Sequence, residues 1–163
     1  MPVTSTLGLS VSMIRSATFE DSEAVATVLI ESRRKFLPFA PSAHSEPDVR
    51  HWVRSTLLPT MRVVVWEEDT TVVAVLAMSA ETSASWINQL YVLPDWNGKG
   101  IGTKMLLHAH RTLSPPIHLY SFQENVGARR FYERNGYQAV EFTNGEGNEE
   151  KCPDVLYVLA TQV

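Results

Sequence analysis

The first fifty residues show a hydrophobic pattern that predicts a strand followed by a helix. Residues 13–17 are typical of a short strand, and Thr18 with Asp21 matches a capping box. The following positions repeat at i, i+3, i+4, i+7 and i+11, which places them on one face of a helix: Val25, Val28, Leu29, Ser32 and Phe36. Pro38 and Pro41 break this period, so residues 36–44 are predicted to form a loop.

A second helix and three strands are predicted next. Ser45 with Asp48 marks the helix start, and Pro59 is expected to end it. Three β-rich runs follow at residues 61–67, 71–79 and 85–92. Because only short corners join these runs, they are expected to form an antiparallel meander.

The second half of the chain alternates helices and strands. A four-residue apolar repeat predicts a helix over residues 102–113, which begins at a glycine cluster. Strands are predicted at 117–122, 137–142 and 155–160, with a helix capped by Asn125 over 125–135 and closed by Gly136. The polar segment 143–153 is predicted to be a surface hairpin loop. The pattern therefore predicts an α/β fold with a mixed, mostly antiparallel sheet flanked by helices.

Composition narrows the class of protein. The 163 residues are 44% hydrophobic and 20% charged, which suits a single folded domain, here expected over residues 13–163 after a flexible leader, 1–12. A net charge of −4 argues against nucleic acid or an anionic membrane as the main partner. Cys152 is the single cysteine, which suits a reducing compartment, and the leader lacks the features of a signal peptide. We therefore expect a cytoplasmic protein.

The glycine cluster at residues 97–102 suggests an anion site. It lies between a strand and a helix, where unpaired backbone N–H groups and the helix dipole can hold a phosphate. Glycine permits close approach of that phosphate and the positive φ angles of such a loop. The Walker A pattern is absent, and the third glycine of the dinucleotide fingerprint is replaced by Thr103 or Met105, depending on the register. A plain glycine-rich turn remains the alternative.

Two motifs in the correct order give a family resemblance. Residues 90–102, with Asn97, Gly100 and Gly102, resemble the acetyl-CoA signature of the GNAT family of N-acetyltransferases, in which Gln or Arg usually stands at the Asn97 position. Residues 125–137 are similar to the family's downstream segment N-x-x-A-x-x-F-Y-x-x-x-G-[F/Y] at every defined position. Together with the order of elements, the resemblance covers about residues 13–160.

The resemblance implies acetyl-CoA as co-substrate, no metal, and direct acetyl transfer to a small-molecule or peptide amine. It also implies that dimers occur among relatives, so a homodimer is one expected state. The expected cofactor contacts are Leu90, Tyr91, Val92, Asn97, Gly98, Lys99, Gly100, Ile101, Gly102, Thr103 and Asn125. For Asn125, a plain helix cap is the alternative role.

Tyr132 is the first candidate for chemistry, because the family places this tyrosine beside the sulfur of the cofactor. A phenol stays protonated at neutral pH and can donate to a departing thiolate. Its alternative role is core packing with Ala128 and Phe131. The general base is less defined: Glu81 is a candidate, as is His44 on the acceptor side, and a solvated surface position is the alternative for each.

The acidic loop before the last strand suggests the charge of the acceptor. Glu149, Glu150 and Asp154 are candidates for binding a cationic amine, with a merely solvated loop as the alternative. The predicted function is therefore N-acetyl transfer to a primary, cationic amine. Two other functions remain open: a catalytically silent sensor or partner module that binds acetyl-CoA, and an interaction module without a cofactor.

Overall fold

One sheet of seven strands organises the computed structural model, which describes residues 8–161. The strands are β1 (Ser12–Ser16), β2 (Arg62–Glu68), β3 (Thr71–Ala80), β4 (Ser85–Val92), β5 (Ile117–Phe122), β6 (Gln138–Phe142) and β7 (Asp154–Leu159). Their spatial order is β1-β2-β3-β4-β5-β7-β6. The predicted α/β fold with a mixed, mostly antiparallel sheet is confirmed.

The sheet changes direction at its centre. Strands β1 to β4 pair antiparallel in sequence order, which is the predicted meander. Strand β5 pairs parallel to β4, but only through Ser85 with Ile117 and Trp86 with His118. Beyond these two pairs the strands diverge, and β5 continues antiparallel to β7. The divergence leaves an opening near the middle of the sheet.

Helices cover both faces of the sheet. They are α1 (Ser22–Phe36), α2 (Glu46–Trp52), α3 (Leu58–Thr60), α4 (Ile101–Thr112) and α5 (Val126–Arg134). Buried residues of α1 pack with β2 and β3 in one apolar cluster, while α4 and α5 pack with β3, β5 and β7 in another. Strands β2 and β3 are therefore buried on both faces over most of their length, and the opening lies between two helical layers.

The predicted helix caps are present. Thr18 N donates to the Asp21 carboxylate at 2.7 Å, and Asp48 N donates to Ser45 Oγ at 3.3 Å. Asn125 Oδ1 accepts from Ala128 N at 3.2 Å, which satisfies one of the unpaired donors at the start of α5. Gly136 has φ 91° and ends that helix, as predicted for the left-handed position.

The structure corrects the predicted end of the second helix. Pro59 does not end it, because the helical path continues through a π-helical turn (Val53–Leu57) into α3 and ends at Thr60. Proline is tolerated in the first turn of a helix, where its missing N–H would lack a partner.

The start of the first strand lies within the predicted leader. Residues 1–7 are outside the described part of the chain, and the strand begins at Ser12. Val11 N donates to Asp69 Oδ1 at 2.9 Å, and Asp69 N donates to Val11 O at 2.9 Å, which fastens the preceding residue to the β2–β3 corner. Among residues 8–161, no helix combines the length and the apolar character required to cross a membrane.

Candidate functional site

A cleft of about 480 Å³ opens where β4 and β5 diverge. Its walls are residues 87–91 of β4 and 119–122 of β5, together with Asn125, Ala128 and Tyr132 of the α5 segment. The loop between β6 and β7 closes another side, and Leu37 at the end of α1 contributes from the opposite helical layer. The cleft is therefore accessible between the two layers of helices.

A β-bulge at Asn88 shapes the β4 wall. Ala77 of β3 pairs with Gln89 and Met78 pairs with Ile87, so Asn88 has no partner across the ladder. The extra residue reverses the side-chain alternation, since Ile87 and Leu90 both pack on the α4–α5 side. The sequence-based prediction did not include this bulge. Its only signal in the sequence is the polar pair Asn88–Gln89 inside an otherwise apolar strand.

The glycine loop forms a cradle of backbone donors. Gly98 and Gly100 have φ angles of 76° and 82°, and a Cβ at either position would meet no atom within 4 Å. Gly100 precedes the first turn of α4, and Lys104 N donates to Gly100 O at 3.1 Å. Within residues 8–161, the N–H groups of residues 98–103 find no acceptor. Open space and unpaired donors at a helix N-terminus suit an anion such as a diphosphate.

The remaining predicted loop residues lie around this cradle. The Lys99 Nζ atom lies over the Trp96 ring, 4.7 Å from its centroid. Ile101 is buried, so only its main chain is available to a ligand, and Thr103 is exposed. Asn97 is also exposed, and its N–H donates to Pro94 O at 3.2 Å. The loop follows the open end of β4, which aligns the cradle with the cleft.

Two of the three predicted β4 contacts line the cleft. These are Leu90 and Tyr91. Val92 does not line it, and the Val92 carbonyl accepts from the buried Ser32 Oγ at 2.9 Å. The carbonyl of Val92 is therefore already used in fastening α1 to the sheet.

Tyr132 combines core packing with a position in the cleft. It is 9% exposed and packs edge-on against Phe131 and Tyr137, with ring centroids 5.2 and 5.7 Å away. No residue of the described chain hydrogen bonds to its hydroxyl group. Burial raises the pKa of Tyr132 above its ordinary value near 10, with smaller contributions from Tyr91 and Tyr137. The phenol is therefore a hydrogen-bond donor throughout the physiological pH range.

The carboxylates of the acidic loop fall into different environments. Glu150 lines the cleft and accepts from Arg33 Nη2 at 2.9 Å, with both side chains about one fifth exposed. Arg33 also donates to the Tyr91 hydroxyl at 3.3 Å, so this cation joins α1, β4 and the loop. Asp154 lines the cleft too, is 8% exposed, and hydrogen bonds to neutral groups.

The partners of Asp154 hold its carboxylate without neutralising it. Thr143 Oγ1 donates to Oδ1, and Asn148 Nδ2 donates to Oδ2 at 3.0 Å. In the described part of the chain, no Lys, Arg or His pairs with Asp154. Asp154 is therefore a carboxyl group in the wall of the cleft without a cationic partner among the described residues, and a positively charged ligand can supply one.

Three of the residues predicted for the base and the acceptor also lie outside the cleft lining. Glu81 is exposed in the β3–β4 hairpin, where its N–H donates to Ala84 O at 2.8 Å, beside the end at which β4 and β5 are still paired. His44 and Glu149 are exposed and hydrogen bond to each other at 2.8 Å. His44 instead lines a second, smaller pocket between α1 and α2. The structure therefore places Glu81, His44 and Glu149 outside the lining of the cleft.

Sequence reasoning missed two further polar or aromatic features of the cleft. Ser121 lines it from β5 and is buried. The exposed Tyr120 stacks on Trp86 at 5.8 Å and lies on the opposite face of the same strand. No cluster of three or more His, Cys, Asp or Glu side chains suited to a metal ion occurs within residues 8–161.

Comparisons with known proteins point in one direction. The family model described as "Acetyltransferase (GNAT) domain" matches residues 59–139. No curated protein matches the sequence. Among solved structures, PaiA N-acetyltransferase from Thermoplasma acidophilum in complex with coenzyme A is 21% identical and has a TM-score of 0.75, with 93% of this chain and 99% of that chain covered.

Two Escherichia coli structures are also similar. Apo-form YjaB is 20% identical with a TM-score of 0.72, and 91% of this chain and 97% of that chain are covered. The ribosomal-protein-S18-alanine N-acetyltransferase is 15% identical with a TM-score of 0.68, and the coverage is 94% of this chain and 97% of that chain. At these identities the structural likeness concerns the fold alone.

Proposed function

The chain belongs to the GNAT family of acetyltransferases, and from this premise we propose that it transfers an acetyl group from acetyl-CoA directly to a cationic primary amine. The observation that carries the proposal is the alignment of three features: the unpaired N–H groups of the glycine loop, the open end of β4, and the Tyr132 phenol in the cleft. A diphosphate at the loop lets an extended arm run along β4 toward Tyr132.

The residues present fit acetyl-CoA. The glycine loop offers six consecutive backbone N–H groups, at residues 98–103, that are free of partners within the described chain. Gly98 and Gly100 leave open space in front of the main chain, where a side chain would hold phosphate oxygens away. Asn125 uses its oxygen as a helix cap, so its NH₂ group remains for the ligand.

Acetyl-CoA would supply an activated thioester: the unprotonated amine nitrogen bonds to the acetyl carbon, the carbon–sulfur bond breaks, and the proton that the nitrogen loses to solvent is balanced by the one that the CoA thiolate takes up. The bulge at Asn88 supports polarisation of the thioester carbonyl, because the backbone groups of an extra residue lie outside the regular ladder. Backbone donors aimed at a developing oxyanion stabilise the transition state. No side chain is required for this role.

Tyr132 is proposed to donate a hydrogen bond to the departing sulfur. Tyr132 lines the cleft, and its hydroxyl keeps its proton because burial raises the pKa. A simple thiol has a pKa near 8.5, so a complete proton transfer from the phenol is uphill. A hydrogen bond from Tyr132 nevertheless stabilises the thiolate as it forms.

Direct transfer is favoured over a covalent enzyme intermediate. Neither Ser121 nor Cys152 hydrogen bonds to a histidine within the described chain. A serine or cysteine nucleophile needs an adjacent base or a lowered pKa. The amine itself is therefore proposed to attack the thioester.

Asp154 is proposed to bind the positive charge of the acceptor. Glu150 is already paired with Arg33, and Glu149 lies outside the cleft beside His44. Asp154 is the buried carboxylate in the cleft wall whose partners are neutral. Balancing such a charge favours a cationic amine over a neutral one.

The test is a thiol-release assay with acetyl-CoA and a panel of amines that includes mono- and polycationic acceptors and peptide N-termini. We expect release with a cationic amine. Asp154→Asn should raise the acceptor KM about tenfold or more, while the Kd for CoA stays unchanged. Glu149→Gln is the matched control, because its carboxylate is exposed outside the cleft and its loss should leave both constants unchanged.

A binding module without turnover is separated by the same assay. Such a module binds CoA but releases no thiol with any amine, and its Tyr132→Phe variant binds CoA with an unchanged Kd. In the proposed enzyme, Tyr132→Phe lowers kcat about 10- to 100-fold with little change in the Kd for CoA. If CoA does not raise the Tm of the protein, both the enzyme and the binding module are contradicted.

A further inference from the structure

Ser121 carries a buried hydroxyl group without a partner. The residue lies near the end of β5, is 8% exposed and lines the cleft. Its Oγ is the only fully buried side-chain nitrogen or oxygen atom in the described chain that makes no hydrogen bond. By contrast, the Oγ of Ser32, also buried, donates to Val92 O at 2.9 Å.

A buried hydroxyl group without a hydrogen-bond partner carries a free-energy penalty, which a bound ligand can remove. Leaving such a group without a hydrogen bond is unfavourable relative to its hydration in water. Most buried polar groups in proteins are satisfied, so an exception in the wall of a cleft points to a bound molecule. The position of Ser121 identifies which part of a ligand it meets.

The strand alternation fixes the side of the sheet on which the Ser121 side chain lies. Ile117 and Leu119 pack in the apolar cluster of α4 and α5, and Ser121 follows them on the same face. Tyr132 belongs to that cluster and also lines the cleft, so Ser121 shares its side with the proposed donor to sulfur. Asp154 pairs with Phe122 and lies on the opposite face.

The surroundings favour a neutral polar ligand group. Ile87, Leu90 and Ala128 are apolar neighbours in the lining, and the polar groups on this side are the Tyr132 phenol and the Asn125 amide. None of these lining groups carries a charge, whereas a phosphate or carboxylate requires a cation or several donors. A serine hydroxyl both donates and accepts, and it matches an amide.

We propose that the Ser121 hydroxyl hydrogen bonds to an amide of the pantetheine arm and thereby positions the thioester beside Tyr132. This inference rests on the proposed function, since it requires the arm of CoA to occupy the cleft. Ser121 is a positioning residue for the acyl donor and takes no covalent part in the reaction.

The experiment compares two probes on wild type, Ser121→Ala and the control Ser22→Ala, whose serine is buried at the start of α1 outside the cleft. Calorimetric titration measures the Kd for CoA and for adenosine 3′,5′-bisphosphate, which lacks the pantetheine arm. Ser121→Ala is expected to raise the Kd for CoA about three- to tenfold, the loss of one neutral hydrogen bond. It leaves the Kd for the bisphosphate unchanged.

The thermal stability of the ligand-free protein gives an independent readout. Removal of an unsatisfied hydroxyl leaves the Tm of Ser121→Ala equal to or above that of wild type, although its affinity for CoA falls. Ser121→Cys puts a slightly larger side chain with a weaker donor at the same position, so its affinity should fall between wild type and alanine.

Each outcome decides the inference. Loss of affinity for CoA alone supports it. An unchanged Kd for CoA in Ser121→Ala overturns it while the proposed function stands, and an equal loss for both probes also overturns it, because the effect is then structural. Failure of the wild type to bind either probe overturns the proposed function and this inference together.

Discussion

Gly100→Ala is the sharpest test of the anion cradle. Gly100 has φ 82°, a left-handed conformation that costs a residue with a Cβ about 1–2 kcal/mol. The added Cβ meets no atom within 4 Å, so no clash adds to this strain. For a chain of this size, a loss of that magnitude lowers the Tm by roughly 2–8 °C. The variant should therefore fold, and it should be stable enough for a binding measurement.

The loss of ligand binding should exceed this change in stability. The new methyl group projects from the loop into open space, where the diphosphate is proposed to approach the N–H groups. Displacing the anion from one charge-assisted hydrogen bond costs about 1.5–3 kcal/mol, which corresponds to about a 10- to 100-fold rise in Kd. Calorimetric titration with CoA measures this change directly.

Gly136→Ala is the matched control. Gly136 has φ 91°, so alanine there meets a similar backbone strain, but the residue ends α5 and does not line the cleft. It should lose a comparable amount of stability and keep wild-type affinity for CoA. If Gly100→Ala loses stability yet binds CoA as wild type does, the diphosphate does not lie at this loop and the reasoning is refuted.

Three further predictions concern ionisable groups. The kcat should rise with pH, because the attacking amine must lose its proton. It should show no alkaline decline below about pH 10, because burial raises the pKa of Tyr132; a decline near pH 8–9 would contradict this role. Arg15 lowers the pKa of Asp21 to about 2, chiefly by hydrogen bonding, so the stability from this pair is complete above about pH 4 and is lost as the pH falls toward 2. Asp21→Asn should flatten this acid dependence of the Tm, and an unchanged slope would count against the pair. Arg33→Ala should lower the stability by about 1–2 kcal/mol, since it leaves the mostly buried Glu150 without its cation, whereas an unchanged Tm would show that the pair contributes nothing.

Local patterns in the sequence were sufficient to predict most helices and strands and the glycine loop proposed to bind the cofactor. The helical period of Val25, Val28 and Leu29 and the caps at Ser45 and Asn125 depend on neighbours within a few residues, so they can be read from the chain alone. The motif around Gly98 and Gly100 is equally local, because one loop supplies all of its donors.

The acceptor side required the tertiary structure. Glu149, Glu150 and Asp154 are close in sequence and looked equivalent, yet Arg33, which is 117 positions away, pairs with Glu150 and leaves Asp154 with neutral partners. Glu81 lies outside the cleft because its hairpin is at the end of β4 where β4 and β5 are still paired. The bulge at Asn88 depends on the register with β3.

Ser121 follows the same rule. A serine in a predicted strand gives no sign of whether its hydroxyl is satisfied, since that depends on strands and helices packed around it. The sequence by itself therefore determined which segments form helices, strands and the glycine loop, although the helix predicted to end at Pro59 continues to Thr60. Only the tertiary structure decided which side chains share the cleft and which charges and hydroxyl groups remain available there, because those pairings join residues far apart in the chain.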